Sequence, residues 1–327
     1  MSDGGALRAE VRRHSFPEIP RPQVSAAVSH LARVSGDSLF GVVFFGSRRT
    51  GAARADAHSA HDFFVVVEAY SPFYRALHSA GIIHRRPTVM AAVSVFLPPS
   101  QVSVRLADDE GRPFHAKCAV IDRRSFARET SRARHDHFCL GRLFQPSEVA
   151  YARDAAAAEA LLDALVSAHQ ETYGWVRPWL PASFDAETYC RTLLETSLSR
   201  EIRPEPAGRA AALFAAQREE AVPVYERLLL GLVSAGELRA VPPGYALTRA
   251  VGRFEKVRLN LYFASSLARA TLRWAKHVVT FEGWLDYIVR KARRHGSGPI
   301  DLSPRERRLP LLFLWPRLIR YLRHKDR

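Results

Sequence analysis

The stretch VVFFGSRRTGAARADAHSAHDFFVVVE, residues 42–68, holds two apolar runs on either side of a polar connection. Each run is short and rich in β-branched and aromatic residues, so each reads as a buried strand. The first runs into Gly46-Ser47 and the second begins at Asp62. Glycine lets a backbone approach a triphosphate closely, and Ser47 adds a hydroxyl to the amide donors of the turn. Asp62, on the adjacent strand, is placed to hold magnesium against the same phosphates.

Outward from this pair the short β-rich runs continue as LFGVVFFG from Leu39, DFFVVVE, TVMAAVSVFLP, QVSVRLA and AKCAVID. Together they predict an α/β sheet domain ending near residue 150. Ala152 to His169 is alanine-rich with Leu161, Leu162, Leu165 and Val166 at helical spacing, so a helix leaves the sheet domain there. A Trp and Pro cluster, GWVRPWLP, follows; helical patterns resume at Phe184, and a loop is expected from Arg203 to Gly208. VPVYERLLLGLVSAGELRAVPPGYALTRA reads as an amphipathic helix ended by Gly236, then two short strands joined at Pro242, Pro243 and Gly244. That order is the shape of a winged helix, although ERLLLGLVSAG carries few side chains for reading bases and so favours a scaffold. Residues 253–294 read as one or two further helices whose aromatic stripe is core. Residues 1–23 are polar, end in Pro17, Pro20 and Pro22, and read as a leader before the folded part.

A chain of 327 residues, 47% hydrophobic and 25% charged, suits a folded protein of roughly two domains. Its net charge of +15 calls for an anionic partner: nucleic acid, nucleotide phosphates or an acidic membrane surface. From Arg290 to Arg327 twelve Lys or Arg stand against three acids, interleaved with Leu311, Phe313, Trp315, Leu318, Ile319 and Leu322. Such a segment is suited to lying on a bilayer. No stretch reaches the ~18 apolar residues needed to cross one, and the first residues lack the apolar core of a signal peptide. Cys118, Cys139 and Cys190 form no CxxC pair, which fits a reducing compartment. His58, His61, His115, His135 and His137 crowd one region without the cysteine partners and spacing of a zinc site.

The Gly-Ser turn followed about a dozen residues later by an acidic strand resembles the nucleotidyltransferase superfamily. The usual pattern alternates two carboxylates on one strand face, whereas here Ala60 and Phe64 flank Asp62. FHAKCAVIDRRSFAR, residues 114–128, and DHFCLGRLFQPSEVAY, residues 136–151, resemble the Lys-x-x-Val-Ile strand and the leucine-glycine-arginine-leucine motif of one branch. That branch is the mitochondrial-type phosphatidate cytidylyltransferase family, also called the translocator assembly and maintenance family, with its bacterial relatives.

The resemblance implies a nucleotidyltransferase domain over 24–150, a winged-helix-like domain over 151–252 and a basic, membrane-associating region over 253–327. It implies CTP and phosphatidate as substrates, Mg2+ as cofactor, and a cytoplasmic protein bound peripherally to the inner face of an anionic membrane. On this basis Asp62 holds magnesium, Gly46 and Ser47 cradle the triphosphate, and Lys117 and Arg142 offer cations to phosphate groups. A second metal ligand is expected at Asp122, then at Glu68 or Asp136. Two alternatives stay open: a nucleotidyltransferase with a soluble or nucleic-acid acceptor, and a catalytically degenerate winged-helix DNA-binding protein.

Overall fold

Strands β1 (Leu39–Phe45) and β2 (His61–Val67) form on the two apolar runs and pair antiparallel, with Phe45 opposite Asp62. The computed structural model describes residues 3–18, 21–51, 60–108, 110–201, 208–280, 303–308 and 313. β3 (Ser100–Ala107) and β4 (Pro113–Asp122) form an antiparallel pair, and β4 lies parallel to β2, with Asp62 opposite Lys117 and Val67 opposite Asp122. β5 (Glu148–Ala152) closes the other side antiparallel to β1. The result is a mixed five-stranded sheet of order β3-β4-β2-β1-β5 in an α/β chain.

Side chains alternate across a strand, so Val43, Phe45, Phe64, Val66, Ala119 and Ile121 enter one core while Val42, Phe44, Phe63, Val65, Cys118 and Val120 enter another. Both faces are covered, which is why the central strands are apolar throughout rather than alternating. The second face receives α2 (Pro22–Ser35) through Val24, Ala27 and Leu31, α3 (Tyr70–Ser79) through Phe73, Tyr74 and Leu77, and α4 (Pro87–Phe96) through Met90.

The first face receives α1 (Asp3–Ser15) through Leu7 and Val11, α5 (Arg123–Glu129) through Phe126, α6 (Leu140–Leu143), and α7 (Ala155–Gln170) through Leu161, Leu162 and Leu165. The same core runs on through α8 (Thr172–Val176), α9 (Ala186–Ser199), α10 (Arg209–Ser234) and the start of α11 (Arg253–Thr280), by way of Trp175, Tyr189, Phe214, Tyr225 and Phe263. A small antiparallel sheet of order β6-β8-β7 joins it, built from β6 (Ser183–Phe184), β7 (Leu238–Val241) and β8 (Gly244–Leu247). Residues 1–271 make one compact unit and 272–327 a second. No described helix is long and apolar enough to cross a membrane.

Two expectations change. TVMAAVSVFLP is not a strand: Pro87 sits where a helix tolerates it, at the start, and Met90 and Ser94, one turn apart, are the buried pair. Ser94 then donates from Oγ to the Met90 carbonyl at 2.7 Å, while Val95 and Phe96 remain 67% and 88% exposed. The 1–23 leader is instead mostly helix, because Leu7 and Val11 fall one turn apart and give α1 an apolar edge. Its polar side pairs with α7, Arg8 with Glu159 at 2.6 Å and also with Asp163, and Arg12 with Glu159. The boundary between 24–150 and 151–252 falls inside β5, and one core spans both sides of it. Of the aromatic stripe expected to be core over 253–294, Phe263 joins that core together with Leu259, while Phe254 is 89% exposed. The loop expected over 203–207, His58, and nearly all of the basic tail lie outside the described residues.

Candidate functional site

The end of β1 turns sharply at Gly46, whose φ is +86°. The amides of Arg49 and Thr50 both donate to the Gly46 carbonyl, at 2.9 and 3.1 Å, so the turn closes on itself within four residues. A Cβ at position 46 would stand 3.0 Å from Oδ2 of Asp62, so glycine is required both by its dihedral and by the carboxylate pressed against it. Ser47 lies at the partly exposed crest of the same turn.

Asp62 begins β2 on the face that carries Phe64 and Val66, and Lys117 lies directly beside it on parallel β4, on the face that carries Ala119 and Ile121. Neighbouring strands are about 4.8 Å apart, so a carboxylate and an ammonium arise side by side next to the turn. Ser103 of β3 is the next residue across, opposite Lys117. Both Asp62 and Lys117 are partly exposed, while their strand neighbours are buried. Gly46, Ser47, Asp62 and Lys117 therefore gather at one end of the sheet.

An arginine frame holds the turn in place. Arg49 is 7% exposed and forms a two-pronged pair with Glu220 of α10 at 3.0 and 2.7 Å. It also donates to the His14 carbonyl of α1 at 3.1 Å and lies 3.6 Å from Glu148 of β5. Arg21 donates to the Arg48 and Arg49 carbonyls at 3.4 and 3.2 Å and lies 3.6 Å from Glu148. Burial raises the Glu148 carboxyl above its usual range, against the pull of Arg49 and Arg21. His61, behind the turn, stacks on Phe44 at 5.8 Å; burial, then Arg48 and Arg21, push its pKa down to about 4.

Asp122 does not belong to this site. β2 and β4 run parallel, and Asp122 stands five residues beyond Lys117, about 17 Å along the strand. Its carboxylate caps α5, accepting from the Arg124 and Ser125 amides at 3.1 and 3.0 Å. Glu68 lies toward the same far end and pairs with Arg123 and Arg153, each at 2.9 Å. Asp136 pairs with Arg269 at 2.9 Å and accepts from the Phe138 amide. Neither Asp122 nor Glu68 can share an ion with Asp62.

Arg142 reaches the sheet face of Asp62 through Phe138. Its guanidinium lies 3.9 Å over that ring, donates to the Phe138 carbonyl at 2.8 Å and stands 3.7 Å from Glu201. Phe138 in turn sets its edge against Phe64. The glycine of the same motif, Gly141, is required by packing, since a Cβ there would meet the His137 ring at 2.9 Å. His137 bonds Ser197 at 3.2 Å and packs against Trp175, and burial first, then Arg134 and Arg142, hold its pKa down to about 3. His135 pairs with Glu129, and His115 lies opposite Arg105 on the β3–β4 pair. Among the described residues no group of three or more His, Cys, Asp or Glu could hold a metal ion.

The frame residues Arg21, Arg49, Glu148 and Glu220 are absent from the expected site. Arg48-Arg49 directly after Gly-Ser was the one visible signal; Arg21 sat among the prolines of the supposed leader, and Glu220 lies on a helix 171 residues from its partner. Neither a family model nor a curated protein sequence matches this chain.

Proposed function

We propose that this chain is a nucleotidyltransferase of the phosphatidate cytidylyltransferase type, joining the cytidylyl group of CTP to phosphatidate with release of pyrophosphate. The observation that carries this reading is the Gly46 turn set against Asp62, with 3.0 Å between that carboxylate and the place a Cβ would fill. In this reading the Ser47 hydroxyl, with turn amides other than those of Arg49 and Thr50, holds the outer phosphates. Lys117 neutralises charge beside them.

Magnesium commonly binds through one or two carboxylates completed by substrate phosphates and water, so the lone Asp62 suits such a site. The ion, when bound, supplies charge neutralisation at the reacting phosphates. An oxygen of the phosphatidate phosphate forms the new bond to the α-phosphorus of CTP as the bond to pyrophosphate breaks. That nucleophile is already anionic at neutral pH, so the residues contribute alignment and electrostatic stabilisation rather than proton transfer.

The helix α10 and the hairpin β7–β8 support a winged-helix-like scaffold. Tyr225, Leu228 and Leu229 are buried in the core rather than presented to a groove. Peripheral binding to the inner face of an anionic membrane is supported by exposed Val89, Val95 and Phe96 on α4, which follow exposed Arg85 and Arg86.

The test is CTP, magnesium and phosphatidate in liposomes, followed for pyrophosphate and liponucleotide, with the other nucleotides in parallel. Asp62→Asn should lower turnover about a thousandfold while leaving the fold intact. Absence of turnover with every nucleotide would overturn the reading, and turnover only with a soluble acceptor would transfer it to that substrate class.

A further inference from the structure

His61 and Phe44 point to the sheet face opposite Asp62, because each is one residue out of step with the Asp62–Phe45 pair. Behind the turn on that side lies a cleft of about 450 Å³, lined by Arg21, Gln23, Phe44, Arg48, His61 and Arg112 together with Pro22. Among the described residues three guanidiniums and no carboxylate line it. The carboxylates around it stand behind the arginines: Asp108 holds Arg112 through Nε at 2.9 Å and Gln23 at 3.4 Å, Glu110 holds Arg112 at 2.8 Å, and Glu148 lies 3.6 Å from Arg21. A guanidinium has five N–H groups, so these contacts orient it without exhausting it.

His61 supplies a second and independent sign. It is 5% exposed, lines the cleft, and its Nδ1 has no hydrogen-bond partner among the described residues. Buried polar atoms are seldom left unsatisfied, so an unpartnered nitrogen on a residue lining a basic cleft points to a group that the described residues do not supply. A tetrahedral dianion offers acceptors in several directions, which suits guanidiniums gathered from Arg21, Arg48 and Arg112 better than a flat carboxylate would. The volume leaves room for the carbon skeleton to which the phosphate is attached, with the Phe44 ring as an apolar wall.

We propose that this cleft is a phosphomonoester site separate from the Gly46–Ser47 turn. It receives the phosphate of the acceptor lipid; that assignment rests on the transferase reading above. The phosphate would then approach from one side of the turn while the nucleotide is held on the other.

Short-chain dihexanoyl phosphatidate, CTP and inorganic phosphate, each titrated into the full chain by calorimetry, test this. Arg112 is largely exposed, its side chain 61% accessible, so Arg112→Ala should fold normally. The expected result is about tenfold weaker phosphatidate binding with CTP binding unchanged, and partial recovery in Arg112→Lys. Hydrogen exchange of the wild-type chain should also show protection by phosphatidate over residues 21–23 and 44–48, a readout that needs no variant. Equal phosphatidate affinity in wild type and Arg112→Ala, or protection confined to other segments, would overturn the cleft even if transfer is observed. Arg112-dependent binding in a protein that transfers no nucleotide would uphold the cleft and sink the transferase reading. Inorganic phosphate binding as tightly as phosphatidate would uphold the anion chemistry and overturn the lipid assignment.

Discussion

Arg49 sits between two carboxylates, Glu148 at 3.6 Å and Glu220 at 2.7 Å, and one is almost fully buried. Removing the guanidinium leaves the buried Glu148 with Arg21 alone and takes from Glu220 its two-pronged pair. Arg49→Ala should therefore cost about 3 kcal/mol of stability in denaturant unfolding, whereas Arg49→Lys should keep part of it. Gly46→Ala addresses catalysis instead. The new methyl meets Oδ2 of Asp62, and the left-handed backbone adds about 1–2 kcal/mol of strain. Turnover should fall at least tenfold with only a modest change in melting temperature, and unchanged turnover would remove the turn from the site.

Gly46 and Asp62 could be read from sequence because both lie within one strand-turn-strand stretch, where local chemistry carries the information. Asp122 could not be judged that way. Its place depends on whether β4 runs parallel or antiparallel to β2, and no residue within β4 states that direction. An antiparallel neighbour could have brought that acid back beside Asp62; the parallel one carries it to the far end.

At the scale of elements, α4 shows the limit of composition. Its Val, Met and Phe residues suit a strand, but Pro87 sets the start of a helix and the Met90–Ser94 spacing follows the helical turn. The consequence is an apolar surface at Val89, Val95 and Phe96 that a buried strand would not have left. Val95→Ser with Phe96→Ser should reduce flotation on anionic vesicles severalfold without lowering the melting temperature. Equal flotation would detach α4 from membrane contact. α1 was missed for the opposite reason, since only Leu7 and Val11 mark its buried edge within a basic sequence. The strands β1, β2, β3 and β4, the helix α7 and the β7–β8 hairpin were legible because each carries a complete local pattern.

For the molecule as a whole, acid should be destabilising through its buried histidines. Burial holds His137 at a pKa of about 3 and His169 at about 4, with the Arg134 and Arg142 charges adding to the first and His14 to the second. Each pKa lies below its unfolded value near 6.5, so the unfolded chain takes up protons that the folded chain refuses. Their contribution is intact above about pH 6.5 and is lost as pH falls toward 4, at about 1.4 kcal/mol per pH unit for each histidine. Melting temperature should drop through that window. With His61 also at a pKa of about 4, His169→Gln should flatten the slope by about a third, and an unchanged slope would assign it to other groups.

The docking of α1 also orders events during synthesis. Arg8 and Glu159 are 151 residues apart, and the α10 partners come later still. At about 5–20 residues per second, α1 waits roughly 8–30 s before α7 exists to pair with Arg8 and Arg12. A helix translated well before α7 and α10 is thus covered only once they are made. The length of that interval is set by the pace of translation rather than by the strength of the final contacts.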